Sequence, residues 1–580
     1  MKRLLHNLRA ELSVFATAFI LRAVFALQWI AMPYFRAPQI DARIHQLWAL
    51  DILHGHLLRD TAFYQSPFYP YLLALLYKLF GPADYAMLFL QAVVGAATAV
   101  LIFKTAQKAF GRRAGILAGI LAAVYMPFIF YTAPLLKEIW VAGGLALFCL
   151  LALCALENQS GKLLFWCGTA LGFTALSRGN ALLLFPLPLI FIAYKYRPQW
   201  RKFAAQFALL AAGTLLPVLP ATLHNYAAAK DFVLINYTSG FSFFIGNNAQ
   251  ATGVADYPLG IASAPQLEEA QAAAYAERAE GRPLKPSEIS SFWMHKCFAF
   301  AVHKPGKWLK LTFHKALIFF NRDDAPDDYS RSFIRDNFGS LLKLHLLGFA
   351  AAAVLGIIGI CLFFDSNSGA FFLLCSGAIY SFSVIITFIS DRYRMPLAVF
   401  LLPFSALLVD KAISGELWPA LKAKPWRVAC AAALSAFCIF PKPFDETAVK
   451  AQGYSQLVWV YSDLEQYDKA AQAFSTALEL QRPLLPETFM KAGMAYEQLG
   501  DIKTAGETYQ AGIISNPAYP PAYINMAEFL LQNKQPAPAV PYLERALLLS
   551  PEDKTAVKDM VIAYRMMKDE KKEKEWEKKL

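Results

Sequence analysis

The sequence predicts an all-α protein: a bundle of about eleven transmembrane helices followed by a helical-repeat solenoid. Three observations carry that reading. Of 580 residues, 57% are hydrophobic and only 17% charged, too apolar for an ordinary soluble chain. Many apolar runs approach the ~20 residues that a helix needs to cross a bilayer. After the PKPFDET stretch the composition changes, and small and large apolar residues recur with a period near 34, with prolines at Pro483, Pro517 and Pro551.

The first apolar run, ELSVFATAFILRAVFALQWIAM, follows a basic start and is too long for a cleaved leader, so it reads as a retained helix. Further spans are expected near 83–109, 115–131, 136–156, 163–177, 181–195, 203–224, 341–363, 369–389, 394–411 and 426–441. Lys2, Arg3 and Arg9, then Lys104, Lys108, Arg112 and Arg113, then Lys195, Arg197, Arg201 and Lys202, then Lys411, Lys422, Lys424 and Arg427 fall on one side if the spans alternate. The positive-inside tendency makes that side cytoplasmic. The expected setting is the inner membrane of a bacterium, with a cytoplasmic N-terminus. Loops 33–82 and 225–340 and everything after 441 then lie in the periplasm. The domains are expected at 1–441 and 442–580.

The net charge of +12 is uneven: residues 442–580 carry 17 Lys and Arg against 20 Asp and Glu, leaving the excess beside the membrane. That placement fits topology and lipid phosphate and argues against nucleic acid. The eight cysteines lie mostly in apolar runs without metal spacing and read as small core residues.

Within 225–340, FVLINYTSGFSFFIGNNAQATG reads as strand-like and turn-rich, and SAPQLEEAQAAAYAERAEGR as a polar helix. FWMHKCFAFAVHKPGKWLKLTFHKALIFFN reads as an amphipathic segment whose basic residues snorkel to headgroups. In the tail, Tyr461, Ala470, Phe474 and Ala477, then Gly493, Tyr496, Ala505 and Tyr509, then Ala527, Leu530, Ala539 and Ala546 follow the tetratricopeptide pattern. A polar helix from Glu552 to Leu580 is expected to cap three repeats.

The residues richest in chemistry lie in Pro38–Gly81, PQIDARIHQLWALDILHGHLLRDTAFYQSPFYPYLLALLYKLFG, directly after the first span. Asp41 and His45 are four apart and share a helix face. Asp41 can act as a base or orient an acceptor hydroxyl there; as an Asp near a helix start, it can equally be a cap. Lys137 and Glu138, Arg178, and Arg392 with Arg394 sit at outer mouths of spans. Outer cations run against the positive-inside tendency; phosphate binding explains them, and headgroup snorkelling is the alternative. Arg22, inside the first span, is expected to pair or line a cavity. Asn247 and Asn248 suit sugar hydroxyls or an ordinary turn. Asp323, Asp324, Asp327 and Asp328 form an acidic knot that could take a divalent cation but reads better as a solvated turn.

These segments, in this order, resemble the polyprenyl-phosphate-sugar-dependent glycosyltransferases of the GT-C fold. The bacterial family 39 proteins, akin to protein O-mannosyltransferases and the aminoarabinose transferase of lipid A, are the nearest in pattern. The resemblance rests on the Asp41 loop with YQSPFYPYLLALLYKLFG, LLKE, LSRGNALLLFP, NYTSGFSFFIGNNAQATG, NRDDAPDD and DRYRMP, and covers roughly 1–410. It implies inverting transfer of a sugar from a polyprenyl phosphate to a periplasmic glycan, lipid or protein. Asp41 would be the base. Lys137, Arg178, Arg392 and Arg394 would lie near the lipid phosphate, and His45, Tyr64, Glu138, Asn247, Asn248 and Asp324 near the substrates. His45 stands where many relatives have Tyr, and Asp324 where they have Glu. No cofactor is implied and a metal is not demanded, and the repeats would recruit an acceptor or protein partner. An O-antigen polymerase or ligase is a competing reading, disfavoured because its catalytic loop comes late in the chain. A non-enzymatic envelope scaffold is another.

Overall fold

The computed structural model describes the chain apart from residues 1, 256, 258–260, 262–264, 326–327, 340, 345, 365–366, 441–442 and 552, and apart from the side chains of 2–7 and 265–266. Among the described residues the secondary structure is helical, with one isolated β-bridge between Tyr125 and Leu347. The chain divides into two compact units. One comprises Met1–Asp256 with Ala272–Pro443, the other Tyr257–Gln271 with Phe444–Leu580.

In the first unit, seven helices are long and apolar enough to cross a membrane, and three shorter apolar helices, Phe68–Phe80, Phe349–Phe363 and Pro425–Ile439, accompany them among the described residues. The expected spans at 115–131 and 163–177 are helices of 12 and 17 residues, Arg112–Ala123 and Gly161–Ser177, short of the ~20 needed to cross. The former ends before Pro127, consistent with the bias of Pro against continuing a helix from upstream. The helix Lys2–Ala31 (α1) packs on Tyr85–Phe110 (α2) and on Arg112–Ala123 (α3). Buried in α1, Arg22 meets no carboxylate among the described residues. Its guanidinium donates to the carbonyls of Ala18 at 2.9 Å and of Ala122 and Ala123 at 3.3 Å. Gly95 makes the room: a Cβ there would lie 2.6 Å from Arg22 Nε.

The loop after α1 is built from two helices, Ile40–Leu53 (α4) and Phe68–Phe80 (α5), which pack together. Asp84 holds their far end, accepting from Gln46 Nε2 at 3.1 Å and from the Tyr77 hydroxyl. The expected strand-like piece after residue 231 forms no strand. It runs extended beside the first loop, with Tyr237 N donating to Phe63 O at 3.1 Å and Thr238 N to Tyr64 O at 3.3 Å, then turns into the short helix Ser239–Ile245. Asn225 pins both strands of chain, accepting from Phe63 N and donating to Val233 O and Ile235 O. The Gly and Ser content after Thr238 favours this turn chemistry over a ladder. The amphipathic stretch is two helices, Pro286–His303 and Pro305–Phe320 (α6), because Pro305 supplies no N–H to continue the first. Lys307 and Lys310 are exposed as expected for snorkelling, but Lys315 is buried.

The second unit is a stack of helix pairs: Glu446–Asp463 with Tyr467–Glu479, Pro486–Gln498 with Ile502–Ser515, and Pro520–Gln532 with Pro536–Leu549. Ala505, Tyr509, Ala527, Leu530, Ala539 and Leu543 form its core. A Cβ on Gly493 would lie 2.7 Å from the Tyr509 ring, so this position sets how closely one helix pair closes. The single capping helix expected from Glu552 is instead two, Lys554–Met566 and Glu570–Glu577; Glu552 itself lies outside the described residues. Lys568, at φ 60°, makes the break, and Arg565 folds the second piece back by donating to Glu573 at 2.6 Å and Glu577 at 3.2 Å.

Candidate active site

Asp41 occupies the first turn of α4, with extended Gln39 before it. Its side chain does not cap the helix. Instead Asp41 Oδ2 accepts from Arg392 Nη1 at 2.5 Å, and Oδ1 from Gln65 Nε2 at 3.3 Å. The same Arg392 nitrogen donates to Asp328 Oδ2 at 2.8 Å. Three distant segments thus converge: the first loop, the acidic knot and the DRYR turn. Burial alone would raise the Asp41 carboxyl, but Arg392, Lys137 and His45 together outweigh it and hold the group below the ordinary carboxylate range.

Lys137 stands at the start of the spanning helix Glu138–Asn158. Among the described residues its ammonium has no hydrogen-bond or ion-pair partner. Burial lowers its pKa, while Asp41 and Glu138 attract it from further away. Glu138 is fully buried and pairs with Arg178 Nη2 at 2.7 Å, leaving its Oε2 without a partner. Arg178 stacks over Tyr393, 4.1 Å from the ring centre, so it lies against the residue next to Arg392. Positively charged groups that the chain separates by up to 255 positions therefore line one corner.

His45 is buried against Tyr69, and its Nδ1 lies 2.8 Å from Leu135 O, which makes Nδ1 the donor. Its Nε2 has no partner. Burial first, and then Lys137, push its pKa down to about 4, so the ring is neutral near pH 7. Tyr64 is buried, its ring 5.1 Å from that of Tyr237, and lies next in sequence to Gln65, which touches Asp41.

Three expected site residues have their side chains hydrogen-bonded within the scaffold. Arg394 donates to the carbonyls of Asn321 at 2.6 Å, Asp323 at 2.7 Å and Ile318 at 3.3 Å, and pairs with Asp391 at 2.5 Å. Its donors are committed, and it clamps the end of α6. Asn247 and Asn248 engage their amide donors inside the fold: Asn247 Nδ2 donates to Phe243 O and Ile386 O, and Asn248 Nδ2 to Phe244 O and Ile245 O. Their carbonyl oxygens are used too, that of Asn247 by Trp308 and Lys315, that of Asn248 by Gln250 N.

The acidic knot is no solvated turn. Asp324 pairs with Arg331 and accepts from Ser332 N at 3.0 Å, while Asp328 is buried on Arg392; Asp327 lies outside the described residues. Burial raises the Asp324 carboxyl, but Arg331 and Arg394 more than reverse it. Among the described residues no group of three or more His, Cys, Asp or Glu is placed to hold a metal ion. Gln65 and the site role of Asp328 were not foreseen. The only sequence signals for them were proximity to Tyr64 and membership of the knot.

Two apolar clefts lie in the first unit. One of about 410 Å³ is lined by Phe63, Pro67, Phe68, Leu176, Pro217 and His224, next to Gln65 in the chain. Another of about 350 Å³ runs between Phe349–Phe363, Ser368–Ile385, Ala398–Ile413 and Pro425–Ile439.

Residues 64–224 match the family model described as dolichyl-phosphate-mannose-protein mannosyltransferase, and residues 451–483, 486–519 and 520–553 match the tetratricopeptide repeat. No curated protein matches the chain. Solved structures that it resembles include the Archaeoglobus fulgidus oligosaccharyltransferase in its apo form, at 16% identity and TM-score 0.40, covering 80% of this chain. The oligosaccharyltransferase AglB of the same organism, in complex with an inhibitory peptide and a dolichol-phosphate, gives 14% identity and TM-score 0.39, again over 80% of this chain. The chain spans 59% of the length of each of these. ArnT from Cupriavidus metallidurans bound to undecaprenyl phosphate gives 18% identity and TM-score 0.34, covering 68% of this chain and 78% of that one. The chain thus joins a segment matching the dolichyl-phosphate-mannose-protein mannosyltransferase family, at residues 64–224, to an array of three tetratricopeptide repeats at residues 451–553.

Proposed function

We propose that the protein is an integral-membrane inverting glycosyltransferase of the GT-C fold. It moves a sugar from a polyprenyl phosphate to an acceptor outside the cytoplasm, in the periplasm of a bacterium. The observation that carries this reading is the unpartnered Lys137 ammonium beside the Asp41–Arg392 pair and the Arg178 guanidinium. A half-buried cation with no hydrogen-bond or ion-pair partner among the described residues is costly, and a lipid-linked phosphate is the ligand that would offset it. The match of residues 64–224, which contain Lys137 and Arg178, supports the same chemistry.

In this mechanism the acceptor hydroxyl oxygen attacks the anomeric carbon as the bond from that carbon to the phosphate oxygen breaks. The electron pair leaves with the phosphate, where Lys137 and Arg392 stabilise the growing charge. The hydroxyl proton passes to Asp41. In the resting arrangement Arg392 holds Asp41 ionised and makes it a weak base. An incoming phosphate competes for Arg392, which weakens that pair and raises the basicity of Asp41 as the donor seats. Attack from the face opposite the phosphate inverts the anomeric centre. The cleft beside Phe63 and Phe68 suits the start of an isoprenoid tail. The repeats would recruit the acceptor or a protein partner, since such stacks present extended binding surfaces.

The test is mass spectrometry of envelope glycans, lipids and glycoproteins in a strain lacking the protein, complemented with wild type or with Asp41→Asn at matched membrane levels. A sugar restored by wild type and not by Asp41→Asn is the expected result. Restoration by both would overturn the assignment of Asp41.

A further inference from the structure

Lys315 lies on α6, whose neighbouring lysines face outward, yet its side chain is wholly buried. Among the described residues no carboxylate pairs with it. Its ammonium donates instead to Thr387 O at 2.8 Å, Gly246 O and Asn247 Oδ1 at 3.1 Å, and Ile386 O at 3.4 Å. Four acceptors from two separate segments thus meet three protons. Asn247 doubles the tie, donating to Ile386 O at 2.7 Å while accepting from Trp308 Nε1 at 3.1 Å. The contact is intimate: a Cβ on Gly246 would lie 2.1 Å from Thr387 O.

From this hub the chain runs through Ile389, whose N–H donates to Gly253 O at 2.9 Å, and Asp391, whose N–H donates to Ala325 O at 2.8 Å, to Arg392. Only five positions separate Thr387 from the guanidinium that holds Asp41. Resting on the glycosyltransferase reading, we propose that Lys315 is a positioning residue, which sets the register of residues 386–394 and so aims Arg392 at the donor phosphate. A hydrophobic side chain would fill the space but take the ammonium away from four oxygens, of which Ile386 O keeps Asn247 and Asn247 Oδ1 keeps Trp308, so Gly246 O and Thr387 O bear the loss and the two segments lose their shared anchor. Burial lowers the Lys315 ammonium to about 7, with Cys297 as the opposing group, so the site holds this residue at a cost that packing alone does not explain.

The test uses the full chain in lipid nanodiscs, with Lys315→Met, Lys315→Arg and the milder Trp308→Phe. Backbone hydrogen exchange is followed by mass spectrometry, and affinity is measured for undecaprenyl phosphate. Lys315→Met is expected to speed exchange in 386–394, leave the repeats at 451–553 unchanged, and weaken undecaprenyl phosphate about tenfold. Lys315→Arg is expected to recover part of both. If Lys315→Met unfolds the whole unit, Trp308→Phe decides, with a smaller effect confined to the same segment. Unchanged exchange in 386–394, or faster exchange with unaltered affinity, overturns the proposal. Failure of the wild type to bind undecaprenyl phosphate sinks the glycosyltransferase reading instead, and the exchange result still tests whether Lys315 holds the segment.

Discussion

Arg392 and Asp41, 351 positions apart, meet through a single nitrogen, and that nitrogen also carries Asp328. One guanidinium nitrogen therefore balances two carboxylates, while Cζ lies 5.1 Å from the centre of the Tyr393 ring.

Asp41→Asn is expected to fold, because the amide still fits beside Gln65 and Arg392 keeps Asp328. Transfer should fall by ~10²–10⁴, the usual worth of a positioned base. Turnover in proteoliposomes, compared with undecaprenyl phosphate affinity, checks this: the rate should drop while affinity holds or rises.

Arg392→Gln removes the partner of two buried carboxylates and is expected to cost ~3–5 kcal/mol. Its signature is in pH. The folded Asp41 value lies below the unfolded one, so its stabilisation is complete above about pH 4 and is lost as pH falls through the folded value. Without Arg392 that contribution disappears. Thermal unfolding at pH 7 should then show most of the loss, and the gap between variant and wild type should narrow in acid.

His45 titrates in the other window. Its folded value of about 4 lies below the ordinary 6.5, so the unfolded chain binds the extra proton between them and stability climbs as pH rises from 4 to 6.5. His45→Gln should flatten that climb, worth up to roughly 3 kcal/mol, in a melting series across pH 4–7.

Lys137 and Arg394 are expected to part company. Lys137→Met removes an ammonium with no partner and should leave the melting temperature near wild type or above it, while weakening polyprenyl phosphate binding. Arg394→Met takes this donor from the carbonyls of Asn321 and Asp323 and leaves Asp391 with only Ala325 N and the more distant Arg331, and should destabilise by ~3–5 kcal/mol. Melting curves beside binding isotherms distinguish the two.

In the repeats, Gly493→Leu should drive a side chain into the Tyr509 ring and cost ~1–3 kcal/mol. Protease sensitivity confined to 451–553 would report it.

The contrast between Arg392 and Arg394 shows where reading the sequence stops. Both were visible as outer-face cations in DRYRMP, and two positions of offset on one helical turn send one to Asp41 and the other to the end of α6. Nothing local distinguishes them, because the partners arrive from the first loop and from the acidic knot. Lys315 was misread for the same reason: helical spacing marks a face, and only the packed neighbour decides whether that face meets water. Asn247 and Asn248 looked like sugar ligands because an amide's chemistry is the same whether its partner is a hydroxyl or a backbone carbonyl. The repeats were legible because their restraint is local and periodic, with a proline every 34 residues and small residues where helices cross. Asp41 was legible as a candidate because a carboxylate directly after a span has few structural excuses.

Arg22 carries a consequence for how the protein is made. Besides Ala18 in its own helix, its guanidinium donates to the carbonyls of Ala122 and Ala123, which leave the ribosome about a hundred residues after it. Until they arrive, the guanidinium has only the Ala18 carbonyl of its own helix, and an arginine in lipid costs roughly 2.5–3.5 kcal/mol if centrally placed. The first helix is therefore expected to sit more stably in the membrane once α2 and α3 have joined it. A nascent chain stopped before residue 123 is expected to be extracted by alkali more readily than one that carries α3.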